Sequence, residues 1–333
     1  MLYGNSSGSC GVHAQIHSLL PAKFWRAAMQ SELMGSPLTT IPQTIEEKSE
    51  VYEKVKETLG VATLKELEAV PWQDLHRTYQ VSDPRHGFGE VGMIDGQFYC
   101  SFWRDHFAFQ GELVLGTTDH EGTVIDMLLR PQPGTNPRPK AQELIDKLSS
   151  LPLSKSKIRA VIETYKITAS TPINDLIEIA LWVIEDLTWY KPTADFALHA
   201  RKHGICVHEY AFSQRQPFGG PWKGTASHTT DLAYLHGSPS IFQAAEYPEN
   251  ELRIQHEMQE AWISVAYGQT PWGKHSVKCF GPDGKTSEVQ QDVFLREYRR
   301  GAQMAIWEGW KEDELGAVLL AMLRHLGMLI GAI

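Results

Sequence analysis

The chain has 333 residues, which is long enough for one large domain or two small ones. Acidic residues outnumber basic residues by 40 to 31, and the resulting net charge of −9 argues against nucleic acid as a partner, because nucleic-acid binding needs a basic face. A hydrophobic fraction of 42% is typical of a globular protein, and four Cys without a CxxC pair are too few for a disulfide scaffold.

The first third of the chain contains predicted helices, and a short strand follows them. Helical periodicity marks three segments: 11–30, interrupted at Pro21, then 44–59 and 64–75. A turn is predicted at Asp95-Gly96, and the apolar run 113–115 predicts a short strand that ends at Gly116.

The remainder of the chain alternates further strands with long helices. A Pro/Gly-rich loop is predicted at 131–139, a strand at 205–212, and a hairpin from 276–280 and 287–289 around Pro282-Asp283-Gly284. Helices are predicted at 141–148, 154–165, 174–187, 193–203, 251–267 and 291–310. This alternation favours the α/β class.

The two ends of the chain carry no clear membrane or export signal. The apolar lead of three residues at the start is shorter than the seven to fifteen residues of a signal-peptide core. Residues 315–333 are apolar, but Arg324 and His325 interrupt the run. An Arg near the bilayer centre costs about 2.5–3.5 kcal/mol, so a surface helix is predicted there rather than a membrane anchor.

The motif Gly4-Asn5-Ser6-Ser7-Gly8 matches G-x-S-x-G, the nucleophile elbow. In such an elbow the Ser sits on a tight turn between a strand and a helix, and flanking glycines avoid collisions. Residues 2–3 fit the end of a strand, and a predicted helix follows the motif. A loose Gly/Ser-rich terminus is the alternative interpretation.

Several segments in chain order resemble the type B carboxylesterases, the carboxylesterase, lipase and cholinesterase family of α/β-hydrolases. The elbow and the segment Phe24-Trp-Arg-Ala-Ala-Met-Gln-Ser31 resemble the elbow region and its "LFxRAIMQSGSP"-like continuation. Ile94-Asp-Gly96 resembles the family's "IDG". The stretch 113–122 resembles the strand and "NxDEG" loop, and 224–237 resembles the "GAxHxxELPYVFG" segment.

The resemblance implies an α/β-hydrolase fold and a serine-hydrolase site. Ser6 corresponds to the nucleophile, Glu121 to the acid and His228 to the base, in the chain order that such enzymes use. The backbone N–H of Ser7 is expected to donate to the oxyanion. The implied substrate is a small-molecule carboxylic ester, with no cofactor.

Other positions have weaker or competing interpretations. Trp182, Trp189 and Phe196 are candidates for an apolar substrate pocket by family position, and core packing is the equal alternative. Asp231 is expected to tie down the histidine loop. Asn5 stands where the family usually has Glu, so a charge beside the nucleophile is absent.

Without the resemblance, each triad member has a common structural explanation. Glu121-Gly122 would be a solvated turn, and His228 a loop or capping histidine. The pairs His13/His17 and His199/His203 lack the Glu of metalloprotease helices, so no metal is predicted. Gly219-Gly220 does not fit a phosphate loop.

The family places a large part of the catalytic domain, including a Gly-Gly turn with oxyanion donors, before the elbow, and no such turn between a strand and a helix is found here. We therefore expect an N-terminally truncated domain over 1–310, with impaired activity, and an apolar tail over 311–333. In that case the absence of a signal peptide is uninformative, while cysteine usage favours an intracellular setting. The alternative is a non-catalytic cholinesterase-like binding module or an inactive fragment, and the oligomeric state stays open.

Overall fold

A six-stranded sheet organises the residues that the computed structural model describes, which are 1–35, 42–83, 92–99, 109–129, 140–298 and 301–326. The strands are β1 (Leu2–Asn5), β2 (Arg26–Gln30), β3 (Gln43–Thr44), β4 (Met93–Ile94), β5 (Glu112–Thr118), β6 (Cys206–Phe212), β7 (Ser276–Phe280) and β8 (Thr286–Gln290). The main sheet has the order β1-β2-β5-β6-β7-β8, in which β8 is antiparallel to β7 and the other neighbours are parallel. Strands β3 and β4 form a separate parallel pair.

Helices lie between the strands. They are α1 (Ser7–Ile16), α2 (Ile45–Leu59), α3 (Leu64–Glu68), α4 (Trp72–Ser82), α5 (Thr123–Leu129), α6 (Ala141–Ser150), α7 (Lys155–Thr164), α8 (Ile173–Glu185), α9 (Lys191–Lys202), α10 (Thr230–Leu235), α11 (Pro239–Ala244), α12 (Pro248–Ala266), α13 (Gln291–Glu297), α14 (Gly301–Met304) and α15 (Glu312–His325). A π-helix, Asp186–Tyr190, joins α8 to α9, and a 3-10 turn, Ala305–Trp307, follows α14. The α/β class predicted from the sequence is confirmed.

Helix ends follow the local sequence signals. Thr44 and Glu47 form a capping box at the start of α2, and Gly60 ends this helix in the left-handed conformation, as the sequence pattern predicts. The single helix predicted for 64–75 is instead two helices, because Pro71 separates α3 from α4. The predicted helix 291–310 is divided into α13, α14 and the 3-10 turn.

The prediction of helix over 11–30 is wrong in its second half. Helix α1 ends at Ile16, and Arg26–Gln30 forms β2, an inner strand of the sheet between β1 and β5. Ala27, Ala28 and Met29 are all buried, since both faces of a parallel strand are covered. Such a strand has no alternation of apolar and polar residues, and periodicity alone cannot separate it from a buried helix.

Strand β5 is longer than its sequence predicts. It continues through Gly116 to Thr118, and each residue after the first is buried. A Cβ on Gly116 would lie 2.2 Å from the ring of Tyr210 on the neighbouring strand, so the glycine makes room for that ring rather than ending the strand. The extra residues bring the end of β5 to the loop 118–122, which contains Glu121 and is called the acid loop below.

Helix α15 packs into the largest helical cluster of the molecule. The cluster also contains residues of α6, α7 and α8, and α15 contributes Leu315, Val318, Leu319, Met322 and Leu323. Among the described helices, none is both long and apolar enough to cross a membrane. The predicted loop 131–139 and the tail residues 327–333 lie outside the described residues.

A single residue, Ser6, connects β1 to α1. Its backbone has φ 54° and ψ −127°, and its N–H donates to the carbonyl oxygen of Gln30 at 2.8 Å. A Cβ on Gly4 would lie 2.2 Å from the carbonyl oxygen of Gly8, so the helix can fold back on the strand only if residue 4 lacks a side chain. A Cβ on Gly8 would meet nothing within 4 Å among the described residues. The expected need for glycine therefore holds at position 4 and is wrong at position 8 for the part of the chain described.

Gly4→Ala and Gly8→Ala form a matched pair that tests this turn. We expect Gly4→Ala to lower the free energy of unfolding by roughly 1–3 kcal/mol, towards the upper end because the colliding atoms are backbone. Gly8→Ala is expected to be neutral or to add about 0.5–1 kcal/mol, since alanine favours the helix. Urea unfolding of both variants measures the difference, and equal destabilisation by the two changes would contradict the close approach at Gly4.

Candidate active site

The structure brings Ser6, His228 and Glu121 together at one edge of the sheet. Nε2 of His228 lies 3.0 Å from Oγ of Ser6, and Nδ1 of His228 lies 2.5 Å from Oε2 of Glu121. Hydrogen bonds on both imidazole nitrogens fix the orientation of the ring. The arrangement is that of a nucleophile, a base and an orienting acid.

The carboxylate of Glu121 is completely buried. Its second oxygen, Oε1, accepts a hydrogen bond from the backbone N–H of Thr118 at 2.6 Å. Burying a carboxylate is costly unless its oxygens are paired, and here each oxygen has a partner. The end of β5 therefore holds the acid in place.

The loops that carry Glu121 and His228 are joined through their backbones. The N–H of His120 donates to the carbonyl oxygen of Ala226 at 3.0 Å, and the N–H of His228 donates to the carbonyl oxygen of His120 at 3.2 Å. The N–H of His228 also lies 3.1 Å from Oγ1 of Thr123. These contacts fix the histidine backbone relative to the acid.

The charges around His228 favour its protonated form. Burial alone lowers the pKa of an imidazole, but the hydrogen bond and charge of Glu121, together with the charges of Glu32 and Asp231, outweigh burial and raise the pKa of His228. An imidazole with a raised pKa readily takes a proton from a hydroxyl.

A second buried carboxylate, Asp231, lies at the start of α10 behind the histidine loop. It accepts hydrogen bonds from Nε2 of Gln30 at 2.9 Å and from the hydroxyl of Tyr210 at 2.8 Å. Gln30 also donates to that hydroxyl at 2.9 Å. Burial, with the charge of Glu121, raises the pKa of Asp231 to about 6. The network connects the histidine loop to β2 and β6, in agreement with the tying role expected for Asp231.

The three predicted pocket residues occupy different places. Trp189 is buried on the π-helix, with its ring centroid 5.8 Å from that of His228. Phe196 is fully buried on α9, and its ring lies 4.4 Å from that of His13 and 5.7 Å from that of His17. Trp182 packs against the helical cluster of α6, α8 and α15. The ring of Trp189 is tilted by 57° relative to that of His228, and the contacts of Phe196 and Trp182 fit the core-packing alternative.

Ser7 is the first residue of α1, so its backbone N–H belongs to the helix-terminal groups that have no partner within a helix. Asn5 is the last residue of β1. Both residues adjoin Ser6 at the turn between β1 and α1.

The histidine pairs are packed rather than arranged around a metal. The rings of His13 and His17 lie 4.8 Å apart, and Nδ1 of His13 accepts the N–H of Met34 at 2.9 Å. The rings of His199 and His203 lie 4.5 Å apart. Across the described ranges, no group of three or more His, Cys, Asp or Glu side chains could hold a metal ion.

Sequence reasoning missed the residues that hold the acid loop from the helical side. Oε1 of Glu185 accepts the N–H of Gly122 at 3.0 Å, and the hydroxyl of Tyr190 donates to the carbonyl oxygen of Asp119 at 2.6 Å. The available signal was the pair Glu185-Asp186 directly after the apolar run 179–184, because buried acids need partners.

Comparisons with known proteins agree with this geometry. Two structures titled PNB esterase have TM-scores of 0.66 and 0.64, each with 17% sequence identity, and cover 91% and 90% of this chain. A thermophilic PNB esterase has a TM-score of 0.65 at 18% identity and covers 91% of this chain. The matches cover 61–62% of those proteins, so the chain spans about six-tenths of their length. A search of curated protein sequences gives no significant match.

At such identities, the structural likeness shows the fold alone, which is the α/β-hydrolase fold. A family model described as the carboxylesterase family matches residues 1–292, nearly the whole of the described chain. The match includes the elbow serine, the acid loop and the histidine loop. This chain therefore belongs to the carboxylesterase family.

Proposed function

We propose that the chain carries the serine-hydrolase site of a carboxylic-ester hydrolase, with Ser6 as nucleophile, His228 as general base and Glu121 as orienting acid. The observation that supports this proposal is the continuous relay of 3.0 Å and 2.5 Å through both nitrogens of His228. A binding module has no need of such a relay.

In the first step, Oγ of Ser6 attacks the ester carbonyl carbon while Nε2 of His228 takes the hydroxyl proton. The tetrahedral intermediate collapses by breaking the bond to the alkoxy oxygen, and His228 gives its proton to the departing alcohol. Glu121 stabilises the imidazolium throughout. The N–H of Ser7 donates to the negatively charged oxygen.

In the second step, water replaces the alcohol. His228 takes a proton from this water, the hydroxide attacks the acyl carbon, and the bond between the acyl group and Oγ of Ser6 breaks. The proton returns to Ser6, which regenerates the free site. The products are a carboxylic acid and an alcohol, so atoms balance without a cofactor.

The substrate proposed is a small ester with an apolar part. The buried ring of Trp189 lies beside His228 and offers an apolar surface close to the reacting atoms. The solved relatives are named as esterases of PNB (p-nitrobenzyl) esters, and the p-nitrobenzyl group is aromatic. Aromatic carboxylic esters are therefore suitable first substrates.

We also propose that residues 1–333 by themselves turn over esters slowly. An oxyanion hole uses two or more converging N–H donors, and loss of a single one costs about 10²–10³ in turnover. Gly-Gly occurs once in the sequence, at Gly219-Gly220, seven residues after the end of β6 and ten before the start of α10, so this pair does not form a tight turn from a strand into a helix that would add donors to that of Ser7.

A fluorophosphonate probe tests the nucleophile. We expect the probe to label the chain at Ser6 and Ser6→Ala to abolish labelling, because the relay activates only this hydroxyl. Ser240→Ala, which removes an exposed serine of α11, serves as the matched control and is expected to retain labelling. Labelling that survives Ser6→Ala would refute the assignment, and a chain that never reacts would favour the binding-module alternative.

The pH dependence tests the base. Protonated His228 cannot accept a proton, so kcat/KM should rise with pH through the apparent pKa of His228. Because the pKa of His228 is raised, the midpoint should lie above the ordinary value of about 6.5.

Glu121→Gln should lower kcat by about 10⁴, as replacement of a triad acid by its amide does. It should also move the midpoint to lower pH, since the charge that raises the pKa is lost. An unchanged midpoint would argue that another group titrates.

The proposal of slow turnover is tested by p-nitrophenyl ester hydrolysis. We expect the purified chain to hydrolyse the ester only slowly, with the remaining rate reduced to background in Ser6→Ala. Robust turnover that Ser6→Ala abolishes would show that the N–H donors present in this chain suffice for the oxyanion.

A further inference from the structure

A π-helix interrupts the long helical segment beside the acid loop. The backbone N–H of Lys191 donates to the carbonyl oxygen of Asp186, five residues earlier, and helix α9 continues from there. Such π-turns are rare and occur frequently at functional sites. All five residues of this one are buried.

The residue immediately before the π-helix contacts one end of the acid loop. Oε1 of Glu185 accepts the N–H of Gly122, the residue after Glu121, at 3.0 Å. A Cβ on Gly122 would lie 3.0 Å from Cγ of Glu185, which is closer than ordinary van der Waals contact, so the glycine leaves room for Glu185 beside the loop. Oε1 of Glu185 also lies 3.9 Å from Nδ1 of His120.

The last residue of the π-helix contacts the other end of the loop. The hydroxyl of Tyr190 lies 2.6 Å from the carbonyl oxygen of Asp119 and 3.1 Å from that of Thr118. The N–H of Thr118 is the group that binds Oε1 of Glu121. The peptide group that contains the carbonyl of Thr118 is bound by Tyr190, and the adjacent peptide group, which contains the N–H of Thr118, binds Glu121.

The wide turn explains how both contacts come from one helix. In an α-helix, residues three or four apart share a face, whereas residues five apart do not. The i→i+5 hydrogen bonding of a π-turn widens the helix and brings residues five apart towards the same side. Glu185 and Tyr190 are five apart, and both reach the acid loop.

We infer that Glu185 and Tyr190 are positioning residues, which act together through the π-turn to hold the loop 118–122 in the conformation that presents Glu121 to His228. The inference deepens the proposed function and rests on it. Neither side chain touches the reacting atoms, so both act through the acid.

The test uses the pKa of His228 to report on the hydrogen bond between Glu121 and His228. The groups that raise the pKa of His228 are Glu121 from the acid loop, Glu32 from the segment after β2 and Asp231 from α10. Tyr190→Phe changes none of these charges. A loosened acid loop should therefore lower the pKa of His228 only by weakening its bond to Glu121.

We expect Tyr190→Phe to lower kcat about tenfold with little change in KM and to move the midpoint of kcat/KM to lower pH. The imidazole signal of His228 in NMR, identified by its loss in His228→Gln, should titrate at lower pH in Tyr190→Phe than in the unmodified chain. Tyr79→Phe is the matched control, because the hydroxyl of Tyr79 donates to Asp83 and accepts from Lys48, and neither residue belongs to the acid loop or the π-turn. It removes a hydrogen-bonded tyrosine hydroxyl without touching the acid loop, and both readouts should stay unchanged.

A second pair of variants separates the role of the Glu185 side chain as a hydrogen-bond acceptor from the role of its negative charge. Glu185→Gln keeps an oxygen that can accept the N–H of Gly122, and it should retain both kcat and the His228 titration. Glu185→Ala removes the acceptor and should behave as Tyr190→Phe. This pair decides the question if Tyr190→Phe does not fold.

The outcomes distinguish the inference from the proposed function. Normal kcat and an unmoved His228 titration in both Tyr190→Phe and Glu185→Ala would overturn the positioning role while leaving the esterase proposal intact. Absence of turnover and of probe labelling in the unmodified chain would overturn the esterase proposal. The NMR titration would still show whether the π-turn holds Glu121 against His228.

Discussion

The buried hydrogen bond between Glu121 and His228 is the interaction on which the rest of the site depends. A carboxylate with no exposed surface must find partners within the protein, and here it has the N–H of Thr118 and the imidazole of His228. This need fixes the end of β5, the acid loop and the histidine loop relative to one another. The imidazole is then held where Ser6 can reach its other nitrogen.

Parallel strands supply the frame for that interaction. Ser6 follows β1 and Glu121 follows β5, with β2 between them in parallel register, so both residues emerge at the carboxyl edge of the sheet. Ligands of open α/β sheets bind at this edge. The turn at Ser6 exists only because Gly4 allows the helix to approach the strand. The parallel strands of the sheet then place Ser6 and Glu121, which are far apart in the sequence, close together in space.

The sequence carries more signal for the proposed triad than for the residues around it. Ser6, Glu121 and His228 lie in short motifs whose glycines and order are visible along the chain. The partners that hold them are not, because Tyr190 and Glu185 meet the acid loop only after α8, the π-turn and α9 have packed on the sheet. Strand β2 was mistaken for helix for a related reason: burial on both faces removes the periodicity by which strands are recognised. Phe196 was a candidate for the pocket by position in the family, with core packing as the equal alternative, and its ring packs on His13 and His17.

The two buried carboxylates near His228 have different surroundings and different consequences. Glu121 bonds directly to the imidazole, whereas Asp231 is bonded to the side chains of Gln30 and Tyr210. Burial and the charge of Glu121 raise the pKa of Asp231 to about 6, although its hydrogen bonds from Tyr210 and Gln30 act in the opposite direction. Near neutral pH, Asp231 is therefore largely ionised and adds to the field that raises the pKa of His228. Together with Glu32, these two carboxylates raise the pKa of His228, and each has a further role: Glu121 orients the ring, while Asp231 anchors the loop that carries it.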